Sequence, residues 1–125
     1  MRRAIRFDAA WHPNRMSQAW LRDSGLPRIR ELAAELGRPV PALRPRVPVQ
    51  ITDKPVGEDE RVFGVGTVDQ IHEDFKLLEE LGAEHVLLDW YVSSDPTTIS
   101  DDDRNWRAIR LLTEQVIDVG NERVR

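Results

Sequence analysis

Apolar positions along the chain switch between two periods, and the switches divide it into alternating helices and strands. Residues 26–36 place Leu26, Ile29, Leu32, Ala33 and Leu36 on one helical face, with Pro27 near the start and Gly37 then Pro39 just past the end. Val47, Val49 and Ile51 alternate with other residues up to the turn cluster Asp53-Lys54-Pro55, which predicts a strand over 46–52. Pro48 cannot donate a ladder hydrogen bond, so it favours an edge or the start of that strand. Thr67-Val68-Asp69-Gln70 reads as a capping box opening a second helix. Its inner face is Val68, Ile71, Phe75, Leu78 and Leu81, and Gly82 sits where a left-handed C-terminal residue belongs. His85 to Tyr91 is apolar on both faces until Asp89, the pattern of a parallel strand covered by helices. Ser93 to Ser100 reads as a loop. Acids at 101–103 then favour the N-terminus of a third helix, with Trp106, Ile109, Leu112 and Val116 as its buried stripe.

The α-β-α-β-α order, with connections too long for hairpins, predicts parallel strands joined by right-handed crossovers. At the front, Ile5, Phe7, Ala9 and Trp11 also alternate, which adds one more strand ending at His12-Pro13. The expected fold class is therefore α/β, with about three parallel strands and three to four helices in one domain, 1–125. Such a sheet has two edges that need covering or pairing.

Composition narrows the chemistry. The 125 residues contain no cysteine, which excludes disulfides, thiol nucleophiles and cysteine-ligated metals. Apolar runs are far shorter than the roughly 20 residues of a membrane span, and no secretory signal is legible, so a cytoplasmic location is expected. Residues 1–46 carry ten arginines and four acids, net +6. Residues 47–125 carry eight bases and eighteen acids, net −10. The arginines are interleaved with Pro, Leu and Ala at helical spacing and lack stacking aromatics, so neither nucleic acid nor membrane is an expected partner. His12, His72 and His85 are far apart in the sequence and form no ligand pair, so no metal is expected. Gly64-Val65-Gly66 matches no phosphate loop and fits a turn into the capping box.

Four segments in order carry a family resemblance. They are Asp8-Ala9-Ala10-Trp11-His12-Pro13-Asn14, the stretch from Leu26 to Pro39, Gly66-Thr67-Val68-Asp69-Gln70-Ile71, and Leu78 to Val86 with Leu81-Gly82-Ala83 at its centre. Together they resemble the luciferase-like monooxygenase family of flavin- or deazaflavin-dependent oxidoreductases, over nearly the whole chain. Two positions depart from the family pattern: Ala9 or Ala10 stands where it has Gly, and Val68 where it has Pro.

The resemblance implies a partial (β/α)8 TIM-type barrel, a fold of about 250 residues. This chain corresponds to its C-terminal half: the tail of a helix at 1–7, strand six around Ala9–Pro13, strand seven at Val47–Thr52 and strand eight at His85–Tyr91. The front alternation thus becomes partly helix. The family's cofactor-phosphate segment lies upstream of the part matched. The implied cofactor is FMN or the deazaflavin coenzyme F420, bound weakly by this chain alone, and the implied reaction is hydride transfer or oxygen-dependent monooxygenation.

Barrel chemistry sits at the C-terminal ends of strands. That selects Trp11, His12 and Asn14, then Thr52, Asp53 and Lys54, then Asp89, Trp90, Tyr91 and Ser93. The candidate catalytic residues are His12, Asp89 and Tyr91; the candidate cofactor-binding residues are Trp11, His12 and Asn14. The competing expectation is a non-catalytic, partner-binding module, a homodimer or a complex with a complementing chain through its exposed strand edges.

Overall fold

The computed structural model describes residues 1–91, 97 and 100–125. Helix α1 (Arg2–Arg6) replaces the front alternation, and Phe7 projects into solvent at its end. Residues 11–14 are extended and pair in parallel with the middle of the chain, Trp11 opposite Leu43 and Asn14 opposite Arg46. Their backbone is tied in by Trp11 N–H to Ala42 O (2.8 Å), Arg44 N–H to Trp11 O (2.9 Å) and Arg46 N–H to Pro13 O (2.9 Å). On the far side of that middle run, β1 (Arg46–Pro48) pairs in parallel with β4 (Leu87–Asp89). The segment 11–14, β1 and β4 are thus three adjacent parallel ribbons, in the spatial order the crossovers require.

The middle run continues as β2 (Gln50–Ile51), which pairs in parallel with β3 (Val65–Gly66). Amide N–H groups of a strand point alternately to its two sides. Those of Arg44 and Arg46 reach the 11–14 segment, and those of Gln50 and Thr52 reach Gly64 and Gly66. Pro48 lies between the two sets, where one neighbour gives way to the other. Its missing donor therefore costs no ladder bond, and it occupies neither an edge nor the strand's start.

The helix predicted over 26–36 begins earlier. Ser17 caps α2 (Gln18–Trp20), accepting from Trp20 N–H, and a π-helical turn (Leu21–Gly25) leads into α3 (Leu26–Glu35). The wider turn falls just before Pro27, whose ring and missing N–H an uninterrupted α-helix would not accommodate. Gly25 is required there for space: a Cβ would stand 2.9 Å from the Trp20 ring and 3.1 Å from Trp11.

Helix α4 (Val68–Glu80) starts with the full capping box of Thr67 and Gln70 and ends before Gly82 at φ +83°. It buries Ile71, Phe75 and Leu78 as its periodicity predicts. Helix α5 (Asp102–Gln115), capped by Asp101, departs from its expected stripe. Leu112 and Val116 are buried, but Trp106 is 67% exposed. Six residues separate it from Leu112, which sets it about 120° around the helix. A short antiparallel hairpin, β5 (Ile117–Asp118) and β6 (Arg123–Val124), closes the chain. The predicted 93–100 loop lies mostly outside the described residues.

Two apolar clusters hold these parts together. One joins Ile5, Trp11, Leu21, Ile29, Leu32, Leu43, Val47, Phe63 and Leu78; the other joins Val49, Ile71, Phe75, Leu112 and Val116. Both lie on the side of the sheet to which Trp11, Leu43, Val47 and Val49 point. Among the described residues no helix is long and apolar enough to cross a membrane.

Candidate functional site

Residues in register on parallel strands share a face, so Asn14, Arg46 and Leu87 form one row across the sheet. His12 precedes that row by two residues and Asp89 follows it by two, on the same face. The row is open to solvent, with Leu87 56% exposed, and His12, Asn14, Arg46 and Leu87 line an open hollow of about 690 Å³. A parallel sheet normally has both faces covered. Here helices cover one, contrary to the expectation of a doubly covered strand at His85–Tyr91, and the regular part of that strand is only Leu87–Asp89.

The polar groups on this face are linked. Arg46 Nε lies 2.9 Å from Asp89 Oδ2, and Asp89 Oδ1 accepts the Tyr91 backbone N–H at 3.1 Å. Asp89 is therefore both an ion-pair partner and the group that fixes the chain after β4. Arg15, at φ +50° just beyond the 11–14 segment, reaches the Tyr91 carbonyl with its guanidinium at 3.4 Å. That contact ties the ends of the two outer ribbons across the open face.

Of the sequence candidates, His12, Asn14, Asp89 and the Tyr91 backbone thus gather at one place. Trp11 does not join them. It is 7% exposed, on the opposite face, with its ring 6.2 Å from that of Trp20. It is a core residue, and stacking on a ligand at the open face is denied to it by strand alternation. Ser93 lies outside the described residues. Thr52 turns inward on its own loop, donating to the Lys54 carbonyl at 2.7 Å. Arg15 and Arg46 were not among the candidates. The signal for Arg46 is its place beside the apolar alternation 47-49-51, which puts an arginine on the face opposite the core.

A second Arg–Asp pair lies in the interior. Arg61 donates to both carboxylate oxygens of Asp74, at 2.7 and 2.9 Å, and Asp74 also accepts from Gln18 Nε2 and Gly64 N–H, each at 2.8 Å. Arg61 further contacts Glu58 and the Val65 carbonyl. Burial opposes its charge, but the hydrogen bonds and charges of Asp74 and Glu58 outweigh that and hold its pKa above the ordinary value. The Arg61 hydrogen bond in turn leads the effects that hold Glu58 below the usual carboxylate range. With every group satisfied, this cluster is a clasp joining α2, the 58–66 loop and α4.

No group of three or more metal-ligating side chains occurs among the described residues. His72 instead meets the Arg125 carbonyl through Nε2 at 2.7 Å. Comparison with protein families, curated proteins and solved structures finds no match to this chain.

Proposed function

We propose that this chain is the C-terminal barrel portion, the last three strands, of a luciferase-like flavin- or deazaflavin-dependent oxidoreductase. The reading rests on the resemblance of four ordered sequence segments. The observation that carries it furthest is the open row Asn14–Arg46–Leu87, flanked by His12 and Asp89, on the face that would look into a barrel.

The donor set suits part of such a cofactor. Leu87 offers an apolar surface to a planar ring, His12 and Asn14 offer hydrogen bonds at its rim, and Arg46 and Arg15 offer positive charge to carbonyl oxygens. When bound, a flavin or deazaflavin supplies hydride or electron transfer. The chain's own residues orient the ring, and the His12 imidazole is placed to donate or accept a proton there.

Titration of FMN or coenzyme F420 with the intact chain, read by quenching of cofactor fluorescence, tests this. Saturable quenching in the micromolar to millimolar range, lost in Leu87→Asp, is the expected result. Folded protein that quenches neither cofactor up to millimolar concentration overturns the reading.

A further inference from the structure

We infer that two copies of this chain associate about a twofold axis parallel to the strands, so that the 11–14 edge of each copy lies beside the β4 edge of the other. Among the described residues, no strand pairs with the outer side of 11–14 or of β4. Both edges therefore present unpaired backbone groups, and the face between them carries the exposed Leu87. One operation satisfies all of this. A half-turn about an axis along the strands preserves strand direction, sets unlike edges side by side in parallel twice over, and encloses the open face of each copy against the other.

Charge selects this arrangement over its alternative. Residues 1–16, which form and flank the first edge, carry four arginines and one aspartate. Residues 81–91, which form and flank the second, carry two acids, Glu84 and Asp89, and no lysine or arginine. Unlike edges thus bring opposite signs together. A twofold axis across the strands would instead pair each edge with its own copy, basic on basic and acidic on acidic. Arg46 and Arg44 enter the enclosed face already paired, with Asp89 and Glu84. This inference rests on the sheet edges and their charges and does not depend on the cofactor reading.

Sedimentation velocity of the intact chain at micromolar concentration tests it first. A particle of twice the chain mass is expected, one that dissociates as salt is raised and is lost in Leu87→Asp while helical circular dichroism is retained. The cysteine-free sequence allows a sharper test. Asn14 and Leu87 lie two strands apart in one copy, roughly 9–10 Å, too far for an intrachain disulfide. Asn14→Cys and Leu87→Cys chains mixed and oxidised should cross-link to each other, and neither should do so alone. A monomer at every concentration, a dimer unaffected by Leu87→Asp, or either single variant cross-linking to itself as readily as the mixture overturns the inference. A dimer that binds no flavin would defeat the proposed function and leave this one standing.

Discussion

The chain contains two Arg–Asp pairs of the same chemistry in opposite surroundings. Arg61 and Asp74 have side chains 3% and 0% exposed, and both oxygens of the carboxylate are occupied by donors from two separate segments, α2 and the 58–66 loop. Arg46 and Asp89 are 49% and 11% exposed, on the sheet face that no helix covers. The interior pair cannot exchange partners without leaving a charge stranded, so it acts on the fold. The open pair can offer its guanidinium to a ligand or to a second chain at little structural cost, so it acts at the surface.

Breaking each pair should expose that difference. Asp74→Ala strands the Arg61 guanidinium and the Gly64 N–H in the interior, and chemical denaturation should show a loss of about 3–5 kcal/mol. A smaller but substantial loss is expected from Gly64→Ala, which acts on the backbone of the same clasp. Gly64 has φ +80°, and a Cβ there would overlap the Pro48 carbonyl. The conformation alone costs about 1–3 kcal/mol, readable as a lowered Tm. Arg46→Ala should change stability by less than about 1 kcal/mol, as expected of an exposed pair, yet weaken cofactor quenching. An Arg46→Ala chain destabilised as severely as Asp74→Ala would erase the distinction between the two pairs.

The parts legible in the sequence are those whose causes are local. Thr67, Gln70 and Gly82 declare α4 within sixteen residues, and its apolar spacing needs no distant partner to be read. The strands over 46–52 and 85–91 are legible as an apolar alternation and a two-sided apolar run, but their regular lengths are not, because each parallel ladder depends on a neighbour at least fifteen residues away. The second Arg–Asp pair illustrates the same limit. Nothing near Arg61 announces that a helix residue thirteen positions later, itself held by Gln18, will be its partner. Trp106 shares the apolar spacing of α5 yet lies outside the core, because spacing alone does not fix which side of the helix meets it. The closing hairpin carries its own turn signal, Gly120-Asn121 after Val119, and that signal is short enough to pass as a tail.

The middle run of the sheet also sets the order in which the molecule can be assembled. Its first partner, Trp11, lies 32 residues before Leu43, and its second, Leu87, lies 41 residues after Arg46. On the ribosome the run can acquire one neighbour while the other is still being synthesised. Until residue 89 emerges, Val47 and Val49 sit in a ribbon with one bare side, a stage at which a nascent chain of this topology is most open to capture by chaperones or by another nascent copy.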